Sequence, residues 1–237
     1  MGRAHEVRAK AMAATAAKRS ALFNRASKEI YMAAKSGEPD PNMNLALRSA
    51  IEKWRGQNVT KEVIDRAIQK AKGGTGENYE SGTYEALGPG GSLLIIETLS
   101  SNSNRANIEV RTAVTKKGGH MGSVIFNFTQ YGVFAFKGEN RDEVEENLIL
   151  GDVDVQEVTV EDGSIEVLVG PADFAKARQV LNDMGINEFD TSEISFIAND
   201  PITISDPEAK RKFTEMLDLL DEVEDVQNVY HNVNLEE

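Results

Sequence analysis

The spacing of apolar residues changes character along this chain, and each change marks a boundary between elements of a different kind. Residues 4–19 are alanine-rich with interspersed Arg and Lys, which favours helix, yet they hold almost no large apolar side chain to bury. A loosely packed basic arm is predicted there. From Ser20 onward Leu22, Phe23, Ala26, Ile30, Ala33 and Ala34 recur at helical spacing until Gly37, Pro39 and Pro41 end the run. A second helix is predicted over about 42–55, with Leu45, Leu47, Ile51 and Trp54 among its apolar residues and Gly56 as its stop. A third starts at Thr60 as N-cap, turns Val63, Ile64, Ala67, Ile68 and Ala71 inward, and ends at Gly73 and Gly74. The three make a helical domain over 20–78, preceded by the arm at 1–19.

Beyond residue 79 the pattern becomes that of strands. Residues 83–87 and 92–99 flank Gly88, Pro89, Gly90 and Gly91, which predicts a hairpin. A helix over about 105–117, capped by Ser103 or Asn104 and closed by Gly118 and Gly119, precedes a strand at 123–128. This β-β-α-β unit has one helix for three strands and must borrow cover from elsewhere. Residues 131–200 read as β-α-β-β-α-β, the ferredoxin-like order, with strands at 133–137, 155–160, 164–169 and 192–198 and helices at 141–150 and from Pro171. A last helix, opened by Ser205, Asp206, Pro207 and Glu208, and a last strand at 226–233 supply what the middle unit lacks. The predicted fold is therefore α+β in three domains: a helical one, a split α+β domain at 79–130 plus 201–237, and a ferredoxin-like α+β domain at 131–200 inserted into it.

Charge adds a second, coarser pattern. Residues 1–78 carry 15 Lys or Arg against 8 Asp or Glu, residues 79–130 carry 4 against 4, and residues 131–237 carry 7 against 27. A chain of net charge −13 thus has a basic head. Segregation of this kind points to a polyanion site at one end and a solvated, self-repelling region at the other; the bland alternative is a basic helix of no special role. No run approaches the roughly 20 apolar residues needed to span a bilayer. The start of the chain has no apolar signal core, so the cytosol is the expected compartment. The chain has no cysteine, which removes disulfides, thiolate metal sites and thiol nucleophiles together.

Two clusters could grip phosphate. The first is Arg3, Arg8, Lys10, Lys18, Arg19, Arg25 and Lys28, with His5 among them; Arg8, Lys18, Arg25 and Lys28 do not form one strict stripe, which suits diffuse contacts rather than base reading. The second is Asn102, Asn104, Arg105, Arg111, Lys116 and Lys117, with Arg105 in the first turn of its helix, where free amides and the helix dipole favour an anion. Its alternative is plain capping by Asn104 and an Arg105–Glu109 pair. The glycines at 88–91 lack the Lys and the following helix of a phosphate loop and read as a turn. None of the first three helices shows a short turn leading to a base-reading N-terminus, so no helix-turn-helix is expected. The acidic runs at Glu143, Glu145 and Glu146 and at Asp218, Asp221, Glu222, Glu224 and Asp225 read as solvated helix faces. His5, His120 and His231 have no zinc-protease spacing, and no nucleophile elbow is present, so neither a catalytic constellation nor a cofactor or metal is expected.

The order of several short motifs carries a resemblance. Lys18-Arg19-Ser20 through Phe23 to Glu29-Ile30, the loop Gly37 to Asn42, Ile64-Asp65-Arg66-Ala67-Ile68, Tyr84-Glu85 with the glycine turn, Asn102 with Asn104-Arg105, Val110-Arg111, Lys117-Gly118-Gly119 and Tyr230-His231-Asn232 together resemble the YebC family, also called the PmpR type. The resemblance implies a cytoplasmic three-domain protein that acts as a DNA-binding transcriptional regulator, and the lack of a catalytic constellation adds the expectation that it is not an enzyme. It also implies an alternative, since mitochondrial relatives are translational activators at the ribosome: the partner is either duplex DNA or ribosomal RNA. Lys18, Arg19, Arg105, Arg111 and Lys117 carry over as contacts. The family's aromatic Gly-His-Ser-Lys-Trp start does not, because this chain reads Gly2-Arg3-Ala4-His5-Glu6, and the stretch after Gly119 is shorter. A remote third class is an enzyme using an interdomain cleft. No membrane partner or small-molecule substrate is expected, and the oligomeric state is left open.

Overall fold

The computed structural model describes residues 3–74, 76 and 78–234, with side-chain surroundings from Lys18 onward. The chain divides into two compact bodies, one formed by Met1–Ile125 with Asp200–Glu237 and the other by Phe126–Asn199.

The first body opens with α1, which runs unbroken over Arg3–Lys35, so the expected arm and first helix are one continuous helix. The predicted break at Ser20 marks only where large apolar residues begin. α2 (Leu45–Gly56) is capped by Asn44, whose side chain accepts from the Leu47 amide, and α3 (Lys61–Lys72) follows. Ala26, Ile30, Ala34, Leu47, Ile51, Trp54, Ile64 and Ala67 form their common core. Only residues 57–60 join α2 to α3, with Asn58 in the left-handed region and Val59 buried. The short turn lies where Gly56 and Thr60 predict it, and the left-handed Asn58 lets the chain reverse there.

The split domain follows. β1 (Glu80–Leu87) and β2 (Leu93–Ser100) form the predicted hairpin, in register from Glu80 opposite Ser100 to Leu87 opposite Leu93. The glycine turn between them holds Gly90 and Gly91 at φ of 69° and 81°, conformations a side chain would strain. α4 (Ser103–Lys116) is followed by Gly118, φ 88°, and at Gly119 a Cβ would lie 2.7 Å from the Leu87 carbonyl oxygen, which fixes how closely the helix end approaches β1. β3 is only His120–Met121, and the strand expected at 123–128 is instead a helical turn at Ile125–Asn127.

From the far end of the chain come α7 (Pro207–Glu222), capped by Asp206, and β8 (Val226–His231). The sheet order is β3-β1-β2-β8, so the last strand completes the first sheet beside β2. α4 and α7 cover one face through Val110, Val114, Phe213, Met216 and Leu220, packed on Ala86, Leu94 and Ile96.

The second body holds β4 (Phe128–Lys137), α5 (Arg141–Leu150), β5 (Val155–Glu161), β6 (Ser164–Val169), α6 (Phe174–Asp183) and β7 (Thr191–Ala198). Its four strands are antiparallel in the order β5-β6-β4-β7. Phe134, Phe136, Val144, Leu148, Val167, Ala177 and Leu181 fill the space between this sheet and its two helices. The whole is α+β, a helical domain followed by two α+β domains. No described helix is long and apolar enough to cross a membrane.

Candidate nucleic-acid interface

The cations expected to meet phosphate fall into two groups with opposite surroundings. On α1, Lys18, Arg25 and Lys28 lie at i, i+7 and i+10 and so do share one side of the helix. That side faces carboxylates of α7 and the segment after it. Lys18 Nζ lies 2.9 Å from Asp218, with both side chains about half exposed. Arg25 donates through Nη1 to Asp221 at 2.7 Å and through Nε to the Val226 carbonyl oxygen at 2.7 Å. Lys28, with a side chain only 8% exposed, lies 2.7 Å from Asp225 and also donates to the carbonyls of Leu99 and Glu224.

Asp225 is the centre of this seam. It is 0% exposed, and its second oxygen accepts from Ser100 Oγ at 2.7 Å and from Arg105 Nη2 at 2.8 Å. Burial alone would raise its carboxyl above the ordinary range; the hydrogen bonds from Lys28, Arg105 and Ser100 outweigh that and hold it below. The same contact raises the Arg105 guanidinium. Lys18 is raised in turn by its hydrogen bond and charge contact with Asp218. Lys117 Nζ lies 2.7 Å from Glu215 on α7 and lowers that carboxyl. The acidic run read as a solvated face is therefore, at Asp218, Asp221 and Asp225, a set of ion-pair partners, and Asp225 is fully buried. Buried charge is tolerated there because it is paired and hydrogen-bonded on every side.

The second group lies on the outer face of α4. The cap is Asn102, neither Ser103 nor Asn104: its side chain accepts from the Arg105 amide at 3.0 Å. That bond consumes an amide the helix start would otherwise offer to an anion. Asn104, Arg111 and Lys116 are exposed, and Arg111 and Lys116 form no ion pair with a described residue. Between them stands Ile108, 66% exposed. Asn104, Ile108, Arg111 and Thr115 follow at i, i+4, i+7 and i+11, so an amide, an aliphatic side chain and a guanidinium share one stripe. Ile108 was not singled out from sequence; its signal was an isoleucine on the face opposite Ala106, Val110 and Ala113. Arg19 on α1 is exposed, with its guanidinium 5.3 Å from the Phe23 ring centre and no described ion pair. The side chains of Arg3, His5, Arg8 and Lys10 lie outside those described. Among the described residues no group of three or more His, Asp or Glu is arranged to hold a metal ion.

The architecture defines a class: a three-domain α+β protein whose middle domain is split by a ferredoxin-like insertion, with its cations concentrated in the first body. Residues 3–74 match the TACO1/YebC protein N-terminal domain, and residues 79–233 match the TACO1/YebC second and third domain. The chain belongs to the TACO1/YebC family. It is 50% identical to "Probable transcriptional regulatory protein Mfl546" of Mesoplasma florum and 46% identical to a "Probable transcriptional regulatory protein" of Mycoplasma capricolum, in both cases across 99% of this chain and 100% of the relative. In structure it is similar to the conserved hypothetical protein Aq1575 of Aquifex aeolicus, with a TM-score of 0.75, 29% identity, and coverage of 93% of this chain and 92% of that one. The relatives are named for regulation, not for catalysis.

Proposed function

We propose that the protein is a non-enzymatic, cytoplasmic regulator that binds nucleic acid through the outer face of α4, led by Arg111 and Lys116 with Asn104 and Ile108 beside them, and through Arg19 and the basic residues Arg3, Arg8 and Lys10 toward the start of α1. The observation that carries this reading is the lack of a described carboxylate partner at Arg19, Arg111 and Lys116, set against the pairing of Lys18, Arg25, Lys28, Arg105 and Lys117. A cation already held by a carboxylate must lose that partner before it can neutralise a phosphate. Lys28 and Arg25 are assigned to holding α1 in place, and Lys18, on an exposed pair with Asp218, contributes little to stability or to binding. With ~4 phosphate contacts, raising salt from about 50 to about 200 mM weakens duplex binding roughly a hundredfold.

A groove-entering use of α3 is opposed by Glu62 and Asp65, exposed in its first turns beside Lys61 and Arg66, and the surface formed by α4 and α1 does not depend on such a helix. That favours, as a second reading, structured RNA on the ribosome, met from outside rather than entered. The test is retention on duplex DNA compared with co-sedimentation with ribosomes, both in low and moderate salt. Salt-sensitive retention on duplex supports the first reading, and salt-sensitive co-sedimentation with no duplex retention supports the second. Binding to neither overturns both.

A further inference from the structure

The inserted body has no share in the proposed nucleic-acid surface, and its charge argues against one. Residues 126–199 carry four Lys or Arg against sixteen Asp or Glu, a net −12. A surface of that sign repels phosphate and attracts cations. On it, the solvent face of α5 departs from what a surface helix normally presents. Val144 and Leu148 point into the core, and the opposite side should be polar throughout. Instead it ends in Ile149 and Leu150, 59% and 78% exposed. With Asp142, Glu145 and Glu146 these two residues line a shallow groove of about 310 Å³.

Three features specify the charge of what would cover this groove. α5 carries Asp142, Glu143, Glu145 and Glu146 against the single cation Arg141, which already bridges Asp142 and Glu145 at 3.1 and 3.0 Å. Glu146 is exposed and forms no ion pair with a described residue. The last turn of α5 holds no basic residue, and the one cation near its end, Lys176 of α6, is taken by the carbonyl of Asp152 beyond the cap and by Asp173, so the helix itself places no cation at Ile149 and Leu150. Apolar contact area, free carboxylate and helix end thus coincide. A second copy of the same face would bring two such acidic rims together, which charge opposes.

We infer that the α5 face of the inserted domain is a docking surface for a basic segment of another protein, one that sets a large apolar side chain against Ile149 and Leu150 and lysines or arginines against Glu146 and the helix end. Recognition of this kind is that of an amphipathic segment laid on a groove, with the apolar anchor supplying affinity and the charges supplying orientation and on-rate.

The test uses the full chain and, as probe, a short amidated lysine–leucine peptide with leucines at helical spacing, titrated by fluorescence anisotropy. Two control peptides keep the spacing, one with glutamate for lysine and one with serine for leucine. The expected result is binding of the lysine–leucine peptide that weakens about tenfold or more in the Ile149→Ser/Leu150→Ser double variant and severalfold in Glu146→Gln, with both controls binding at least about tenfold less tightly. Because all three residues are on the surface, far-ultraviolet circular dichroism and thermal unfolding should match the parent. Equal peptide affinity in parent and double variant overturns the inference. So does a serine peptide that binds as tightly as the leucine one, or a parent that is dimeric by light scattering and becomes monomeric in the double variant, since a second copy would then be the occupant.

Discussion

The α1–α7 seam and the outer face of α4 are built from the same residue types and do opposite things with them. Along the seam, Lys18, Arg25 and Lys28 meet Asp218, Asp221 and Asp225 in order, so that charge becomes a fastening between the helical domain and the split one. On α4, Arg111 and Lys116 stand on the helix face turned away from Val110, Ala113 and Val114, and no carboxylate of α7 pairs with them. The number of cations in a segment thus says little about its affinity for phosphate until the acids that reach them are known. Here those acids come from about two hundred positions further along the chain.

The largest effect should follow from breaking the seam at its centre. Asp225→Asn leaves Lys28 buried with no charge partner and should cost about 3–5 kcal/mol. Denaturant unfolding followed by the emission of Trp54, the only tryptophan, checks this. Its indole N–H donates to Glu29 of α1 at 3.0 Å, so it reports on the helical domain itself. The corresponding change on α4, Arg111→Ala, should leave stability within about 0.5 kcal/mol.

Acid should act on the seam in the same direction. The Asp225 carboxyl titrates below its unfolded value of about 3.9, so its contribution is fully present above that pH and is lost as pH falls through the lower folded value. Parent stability should therefore fall on acidification, and the Asp225→Asn variant should show a flatter profile below about pH 5. Parallel pH profiles for the two proteins would contradict the assignment.

Next in size is the response of nucleic-acid binding. Arg111→Glu/Lys116→Glu should lower affinity by about tenfold or more at low salt without changing unfolding, since it removes two phosphate contacts and adds repulsion. Smallest is Lys18→Ala. Its pair with Asp218 is exposed, so affinity and stability should both stay near those of the parent. A large loss of affinity from Lys18→Ala alone would move the interface back onto the seam.

Much of this architecture was legible in the chain. The three helices, the hairpin around the glycine turn and the β-α-β-β-α-β order rest on local periodicity and turn residues, which act over a few positions, and the return of α7 and β8 to the first sheet follows from the cover that sheet lacked. What escaped was set by distance. Asp225 follows the end of α7 inside an acidic run, and nothing near it indicates that Lys28, Ser100 and Arg105 converge there. The matching pattern was nevertheless present: cations at 18, 25 and 28 on one side of a helix, and acids at 218 and 221 on α7 with Asp225 just after it. At the short scale, β3 shrank to two residues and 125–127 became a helical turn because Glu85 accepts from the amides of Val124 and Ile125, at 2.6 and 2.7 Å, in place of a strand partner. On α4, choosing between capping residues within one turn failed for a related reason, since Asn102, Ser103 and Asn104 are all good caps and only the path of the chain selects the first.

On this reading the outer face of α4 meets phosphate and the α1–α7 seam does not. That is tested most directly by measuring duplex and ribosomal-RNA affinity across a salt series for the parent, for Arg111→Ala/Lys116→Ala and for Lys18→Ala. The slope of log affinity against log salt should become shallower by about 1.8 on duplex, or about 1.4 on single-stranded RNA, in the α4 variant, and stay near the parent value in the Lys18 variant. An unchanged slope in the α4 variant would contradict the reading.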